Sequence, residues 1–459
     1  MNFISLHFFF FIVLVLIGMK LLKQEDTKLK FLLLANYIFY AIADIRFLLL
    51  LIVISLAAWY VGKNAYKNKV VFIFGIIVCL SGLMVFKYCN FFIDSFSRLF
   101  VMGSFEIISL ILPVGISFYS FQAISYICDV RMGKMKPINS VWKVLLYVGF
   151  FPQITAGPIV KAHIFFELLE KRKELNKDRF SYGMQLFIIG LAKKMVIADR
   201  LGVAVDAVYS APSQYSGISL MFAAFAYAIQ IYCDFSGYSD MAIAVAYVLG
   251  FDYEKNFDLP YIAKNPSDFW RRWHISLSSW FRDYVYIPLG GNRKGKSRTY
   301  FNLFLTMLLS GFWHGASWNF ILWGGIHGII SLIHKAYCDF KGKRADGKLL
   351  TFVCRLLMIS FVMLLWIPFR MDNLEDTVMV IGRILHMTPG ITYVSVFAVI
   401  YGIFVIGSQI IMGICGNGHI CWKPLNMNKF VHQIILYVVI LLIICFAYVG
   451  DSAFIYAGF

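Results

Sequence analysis

Residues 31–62 read FLLLANYIFYAIADIRFLLLLIVISLAAWYVG, an apolar run that only Asp44 and Arg46 interrupt with charge. A membrane-spanning helix needs about 20 mostly apolar residues, so this run is long enough for two passes. Similar apolar stretches occur at 3–22, 70–88, 107–127, 141–160, 182–198, 217–250, 300–333, 350–368, 391–414 and 431–450. If 217–250 also makes two passes, the pattern predicts an all-α integral membrane protein with about eleven to thirteen transmembrane or re-entrant helices.

The composition also favours a membrane protein. Hydrophobic residues make up 60% of the 459 residues and charged residues only 15%, whereas roughly 25% charged residues is usual in soluble proteins. The formal net charge is +17, which in a soluble protein would suggest a nucleic-acid partner. Because the basic residues here cluster in short loops between apolar runs, we expect membrane lipid as a partner and no nucleic acid.

The basic loops also predict the topology. We expect the loops 63–69, 131–136 and 335–348 to be cytoplasmic, since lysine and arginine bias sets orientation. The first apolar run lacks a basic n-region and a small-residue cleavage site, so we interpret it as a retained helix rather than a signal peptide. With no internal repeat, linker or soluble module visible, we expect one polytopic domain over residues 1–459.

Several kinds of site are disfavoured by spacing. Nine cysteines are scattered without a CxxC pair, so neither a disulfide framework nor a zinc ribbon is expected. No histidine pair matches HExxH and no carboxylate completes a triad nearby, so we expect no metal site. The absence of GxSxG disfavours a serine hydrolase.

One stretch is too polar to span a membrane and too aromatic for a solvated linker. Residues 251–299 read FDYEKNFDLPYIAKNPSDFWRRWHISLSSWFRDYVYIPLGGNRKGKSRT. Pro266 and Ser267 form a plausible helix start, and Pro288, Gly290 and Gly291 break the helix again. Between them, five large side chains recur at helical spacing, which predicts one buried face: Phe269, Trp273, Leu277, Trp280 and Tyr284.

His314 is the first candidate catalytic residue. It lies in LTMLLSGFWHGASWNFILWGGIHGI, and ionisable groups at membrane depth are costly enough to suggest function. A neutral imidazole can accept a proton near neutral pH and return it. We expect Gly311 and Gly315 to leave the helix surface around it open to a substrate. The alternative is a core histidine with a hydrogen-bond partner.

His274 is the second candidate, 40 residues earlier. It shares a stripe with Trp270 and Phe281 and is therefore expected to face apolar surroundings. The alternative is an interfacial histidine in a basic helix. Two further histidines, His327 and His334, could share a helix face, and we interpret both as packing residues.

Two carboxylates lie in the otherwise apolar string QIYCDFSGYSDMAIA, residues 230–244. Asp234 and Asp240 could be proton relays or structural partners of an arginine, and we favour a structural role. Gly237 between them suggests a helix break or close helix packing.

Three strings together resemble a known family. They are YCDFSGYSDMA (232–242), FWRRWHISLSSWFRDYVYIPLGGNR (269–293) and GFWHGASWNFILWGGIHG (311–328). They resemble the membrane-bound O-acyltransferase family, in its bacterial polysaccharide branch typified by alginate O-acetylation proteins. Upstream strings at 112–133 and 150–160 and the closing FIYAGF (454–459) resemble that branch too, and the likeness is densest over 110–330.

The resemblance implies a ring of helices around a central channel in the bacterial cytoplasmic membrane. Its principal catalytic histidine matches His314, and its second position matches His274. The family implies acetyl-CoA as a donor substrate entering from the cytoplasm, with no bound cofactor. Arg271, Arg272 and Arg282 are plausible contacts for the phosphates of acyl-CoA, and positive-inside loop charge is an equal explanation.

The same resemblance implies an acceptor and a partner. An extracytoplasmic glycan would receive the acetyl group, with a secreted or membrane-anchored acetyltransferase or esterase-like protein as partner. Two alternatives stay open. One is a D-alanyl transferase of teichoic acid, which shares similar strings, and the other is a transporter or flippase built around an ionisable core.

Overall fold

The structure, a computed structural model, describes residues 2–66, 68–100, 110–155, 157–341, 347–420, 423–448 and 450. The closing string 454–459 and parts of the loops 63–69 and 335–348 lie outside the described residues. The chain groups into two units, Met1–Gly183 with Met241–Glu254 and Met184–Asp240 with Lys255–Phe459. The single-domain expectation stays a prediction, and each unit is described by itself.

Among the described residues, nine helices belong to the first stretch of the first unit. They are α1 Leu6–Leu21, α2 Glu25–Asp44, α3 Leu48–Ala65, α4 Lys69–Leu83, α5 Cys89–Leu99, α6 Ile116–Arg131, α7 Val141–Val148, α8 Phe151–Ile154 and α9 Ala162–Glu170. The apolar run 31–62 thus contains two helices, joined by a 3₁₀ turn at Ile45–Phe47. The side chain of Asp44 accepts a hydrogen bond from the Arg46 backbone N–H and caps this turn.

Two helices each extend across a boundary between the units, and the remaining helices belong to the second unit. The two are α10 Lys177–Leu191 and α12 Gly217–Val248. The others are α11 Asp199–Tyr209, α13 Pro266–Arg272, α14 Ile275–Phe281, α15 Lys296–His314, α16 Trp318–Lys341, α17 Lys348–Leu365, α18 Ile367–Arg370, α19 Leu374–Leu385, α20 Val396–Cys415 and α21 Phe430–Phe446.

Membrane-length helices confirm the predicted all-α integral membrane class. Five helical stretches of the described chain are long and apolar enough to cross a membrane: Glu25–Asn64, Lys69–Leu99, Gly217–Val248, Lys348–Arg370 and Val396–Cys415. In four of them less than a third of the apolar window is buried, as expected of helices that face lipid, whereas 72% is buried in Gly217–Val248. The helix count and the ring stay predictions.

Two apolar stretches differ from the sequence prediction. Residues 217–250, expected to make two passes, contain the single helix α12. Gly237 does not break it but allows close packing, because a Cβ there would lie 2.7 Å from the Gly190 carbonyl oxygen. Residues 300–333, taken as one stretch, are divided after His314 into α15 and α16.

Three π-helical turns interrupt or extend the helices, at Met84–Tyr88, Ala192–Ala198 and Arg282–Tyr286. Such turns are rare and recur at functional sites, because they redirect side chains that an α-helix would hold in register. The second of them carries Lys193 and Lys194, and the third follows the candidate site.

Candidate active site

The helix predicted from Pro266 onward is broken at its centre. It begins at Pro266 as expected, with the Asn265 side chain capping it by accepting from the Asp268 backbone N–H at 2.8 Å. It ends at Arg272, and α14 begins only at Ile275. Between them His274 has φ 43° and ψ 56°, the left-handed conformation that ends a helix. The prediction of one continuous helix is therefore wrong.

Backbone hydrogen bonds hold this unfavourable conformation in place. The Ile275 N–H donates to the Asn256 carbonyl oxygen at 2.9 Å, and the His274 carbonyl oxygen accepts from Ser278 at 3.0 Å. A left-handed residue other than glycine costs on the order of 1–3 kcal/mol and persists where its surroundings fix it, often at functional sites. The break turns the His274 side chain into the protein instead of leaving it on a helix surface.

The apolar face of this segment is buried despite the break. All five side chains predicted to share one helix face are less than a tenth exposed: Phe269, Trp273, Leu277, Trp280 and Tyr284. Gly290 and Gly291 have positive φ values of 111° and 54° and follow the last turn, as the sequence predicted.

His274 itself is fully buried, so the alternative of an interfacial histidine is wrong. Its Nδ1 lies 3.2 Å from the Asn256 side-chain oxygen. That oxygen accepts from the Ser276 backbone N–H at 3.1 Å and from the Ser276 hydroxyl, while the Asn256 amide donates to Ser239 at 3.1 Å. Because an oxygen faces Nδ1, Nδ1 must carry the proton, and Nε2 carries the lone pair of the neutral ring.

The His274 ring is also held neutral by its surroundings. His274 lies in the segment 251–299, which is outside the five candidate membrane spans. Burial lowers the pKa of His274 to about 3, because the imidazolium would lose its hydration there. The Phe235 ring lies edge-on against it at 4.6 Å between centroids. At neutral pH the residue is therefore a hydrogen-bond acceptor through Nε2.

His314 is the last residue of α15 and is 2% exposed. Its ring centroid lies 5.1 Å from Trp313, 5.4 Å from Trp323 and 5.2 Å from Phe369. The Trp313 ring also lies 6.4 Å from the His274 ring. The structure therefore places both sequence-predicted histidines against the same indole.

The glycines around His314 do not open the helix surface, contrary to the sequence prediction. A Cβ at Gly311 would lie 2.8 Å from the Gly324 Cα, and one at Gly315 would collide with the Phe320 ring. Both glycines thus allow α15 and α16 to approach closely. This contact positions His314 in a packed environment.

An aromatic cluster lies against the two candidate histidines and against a third, His327. We define the aromatic cluster as Trp270, Trp273, Trp313, Trp323, Trp366 and Phe369, linked by ring contacts. His327 is 1% exposed and lies 4.6 Å from Trp323 and 5.1 Å from Trp270. The sequence assigned it to packing, and its seven-residue spacing from His334 gave no signal that it would share Trp323 with His314.

The three predicted arginines differ in exposure and in how many hydrogen bonds their guanidinium groups make within the protein. The Arg272 guanidinium donates to Asp268 at 2.8 Å and to the carbonyl oxygens of Asp258 and Gly418 at 3.1 and 2.6 Å. Arg271 and Arg282 are exposed, and Arg282 donates to the adjacent Asp283 at 2.7 Å. Of the three, Arg271 and Arg282 are therefore accessible to a soluble anion.

The carboxylates of the 230–244 string pair with lysines rather than with an arginine. The Lys194 ammonium lies 2.6 Å from Asp234 and 2.7 Å from Asp199, and all three side chains are less than 5% exposed. Lys193 pairs with Asp240 at 2.6 Å in a less buried position. We define Lys194, Asp199 and Asp234 as the ionic triad.

Comparisons with known proteins identify the family of the chain. A family model described as the membrane-bound O-acyltransferase family matches residues 138–367, which include both candidate histidines. The chain is 38% identical to "Probable alginate O-acetylase AlgI" of Pseudomonas aeruginosa over 82% of this chain and 73% of that protein. It is 36% identical to the peptidoglycan O-acetyltransferase of Helicobacter pylori, over 76% and 72%. It is 30% identical to the teichoic acid D-alanyltransferase of Bacillus subtilis, over 53% and 67%.

Proposed function

Because the chain belongs to the membrane-bound O-acyltransferase family, we propose that it transfers acetyl from cytoplasmic acetyl-CoA towards hydroxyls of an extracytoplasmic polysaccharide. The chain is an O-acyltransferase and a multi-pass membrane protein. The donor, the acceptor and the bacterial cytoplasmic membrane are the proposed part. Support comes from two relatives whose names describe O-acetylation, one of alginate and one of peptidoglycan.

The reaction requires a base at a dry site. A hydroxyl oxygen attacks the thioester carbonyl carbon, its proton passes to a base, and the C–S bond breaks so that CoA leaves as the thiol after taking up a proton. We assign the base to His314, and the observation that carries this assignment is its burial against Trp313, Trp323 and Phe369. Its place at the end of α15 favours the imidazolium that forms, because a helix C-terminus carries partial negative charge.

His274 is suited to a different task from polarising the thioester. With Nδ1–H directed at Asn256, the neutral ring can only accept a hydrogen bond at Nε2. Polarising a carbonyl oxygen needs a donor, so the tautomer favours a role in accepting or relaying the hydroxyl proton. Asn256 would act as a positioning residue through His274.

The accessible arginines complete the proposal for the donor. Arg271 and Arg282 would contact the phosphates of acetyl-CoA, whereas the guanidinium of Arg272 is already engaged by Asp268 and two backbone carbonyls. No bound cofactor is required for transfer from a thioester. A secreted or membrane-anchored acetyltransferase or esterase-like protein would carry the acetyl group to the final acceptor.

The D-alanyl transferase alternative has less support. The teichoic acid D-alanyltransferase of B. subtilis matches 53% of this chain, against 82% for the P. aeruginosa relative. Since the chain is an O-acyltransferase, the transporter alternative is not retained.

The test uses the purified full-length chain in detergent, with thiol release measured from acetyl-CoA and palmitoyl-CoA in competition. We expect acetyl-CoA to be consumed and palmitoyl-CoA to compete weakly. In cells, expression of the chain should raise the O-acetyl content of the surface polysaccharide. Preference for palmitoyl-CoA, or modification by D-alanine instead of acetate, would contradict the proposal.

A further inference from the structure

A cavity of about 460 Å³ lies in the first unit, and none of its lining residues takes part in the proposed mechanism. It is bordered by the end of α1, the start of α2, the segment before α10 and the residues at the end of α12. Its lining combines apolar and charged side chains: Leu16, Met19, Lys20, Lys28, Arg172, Glu174, Leu175, Asn176, Lys177, Phe180, Val248 and Leu249.

Two of the cations in the lining are buried and fixed by carboxylates. Lys28 lies 3.0 Å from both Glu25 and Glu174. The Arg172 guanidinium donates to Glu25 at 2.8 Å and to the Leu249 carbonyl oxygen at 3.1 Å. These contacts form a rigid polar wall, because each buried cation has at least two oxygen partners.

The other two cations, Lys20 and Lys177, are exposed at the edge of the cavity. Four cations therefore face the two carboxylates Glu25 and Glu174, which leaves a local charge of +2. A flexible lysine at a cavity edge can move onto a bound anion without breaking an existing ion pair. The charge and the accessible lysines predict an anionic ligand.

The rest of the lining is mainly apolar. Leu16 and Met19 come from α1, a helix whose other side exposes Leu14, Ile17 and Leu21 as lipid-facing helices do. Leu175 and Phe180 border the cavity and are 41% and 44% exposed. A ligand in this cavity would thus meet both cations and hydrocarbon.

We propose that this cavity binds an anionic phospholipid, with its phosphate held by Lys20 and Lys177 and an acyl chain along Leu16, Met19 and Phe180. A small soluble anion would leave the apolar lining unused, and a neutral lipid would leave the surplus positive charge unbalanced. Only an amphiphile with an anionic head matches both parts of the lining. The site is independent of the proposed acyl transfer.

The first experiment uses the full-length chain, delipidated in detergent, and counts bound lipid by native mass spectrometry. We expect dioleoyl-phosphatidylglycerol to bind at least tenfold more tightly than dioleoyl-phosphatidylcholine. Neither sn-glycerol 3-phosphate nor CoA should displace it at equal concentration. Equal affinity for the two lipids would overturn the proposal. Displacement by glycerol phosphate would show that the cavity binds free anions, and displacement by CoA would show that it binds the acyl donor. Either result would also overturn the proposal.

The second experiment assigns the binding to this cavity. The double variant Lys20→Gln and Lys177→Gln should weaken phosphatidylglycerol binding by about tenfold or more, since each basic contact to an anionic lipid contributes appreciably. Lys20→Arg with Lys177→Arg should retain it. The matched control, Lys294→Gln with Lys296→Gln, removes the same charge from exposed positions outside the cavity and should change nothing. If the two glutamine pairs behave alike, the cavity is not the site.

Discussion

Two regions of the second unit bury ionisable side chains in opposite surroundings. In the ionic triad, Lys194 lies between Asp199 and Asp234 at 2.7 and 2.6 Å, so positive and negative charge meet directly. In the aromatic cluster, His274, His314 and His327 are surrounded by indole and phenyl rings. The first region holds its charges in fixed ion pairs, whereas the second holds neutral imidazoles.

The difference separates a structural role from a chemical one. A buried lysine between two carboxylates resists loss of its proton, because a neutral amine would leave both carboxylates without a counter-charge. A neutral imidazole among aromatic rings can accept a proton when a reacting hydroxyl supplies one. Variants in each region should therefore fail in different ways, by loss of stability in the ionic triad and by loss of activity at the histidines.

The largest effect is expected at His314. His314→Ala should reduce acetyl transfer by about two to four orders of magnitude, the usual loss when a general base is removed. Protein level and membrane insertion should stay normal. The measurement is polysaccharide O-acetyl content in cells, with abundance checked in the same samples. His334→Ala, at a half-buried position beside Ser267, is the control and should have little effect. Near-normal acetylation by His314→Ala would show that the base lies elsewhere.

The ionic triad should show the reverse behaviour. Lys194→Met removes the cation shared by Asp199 and Asp234 and should lower stability by about 3–5 kcal/mol, as breaking a buried pair does. Thermal unfolding in detergent measures this. Lys193→Met is the matched control, because its ion pair with Asp240 is about a quarter exposed and should matter less. If Lys194→Met unfolds normally but loses activity, the triad is a proton relay and the comparison fails.

A smaller effect tests the packing that holds His314. Gly311→Ala should destabilise the protein by about 1–3 kcal/mol, because its methyl group would collide with the backbone of α16. Gly325→Ala is the control on the facing helix, since a Cβ there meets only Leu308 at 3.9 Å. That variant should be neutral or slightly stabilising, as alanine suits a helix interior better. Equal unfolding temperatures for the two variants would contradict the close-packing role.

The smallest effect is expected at Asn256, which orients His274. Asn256→Ala should lower kcat about fivefold to tenfold, because one hydrogen bond contributes about 1 kcal/mol. Asn256→Asp keeps an acceptor at Nδ1 and should retain most activity. Its carboxylate would raise the pKa of His274, so the acid limb of the pH–rate profile should move to higher pH. An unshifted limb in Asn256→Asp would mean that Asn256 acts only on the fold.

The site could be found in the sequence only in part. His274 and His314 were identified because the strings that contain them resemble the family's motifs, both in residue type and in their spacing along the chain. Asn256 gave no such signal, because it reaches His274 from a loop 18 residues upstream through the left-handed break. Likewise, the sequence suggested an arginine as a partner of Asp234, but the partner is Lys194, because a π-helical turn packs against α12.

The sequence by itself determined that this is an all-α membrane protein and which histidines belong to its family's motifs. Hydropathy and motif spacing are properties of neighbouring residues, so they can be recognised before the chain folds. The tertiary structure alone decided that His274 breaks its helix, that the glycines near His314 serve close packing, and that Lys194 bridges two aspartates. Each of these depends on contacts between distant segments, where packing and hydrogen bonding override the local preference of the chain.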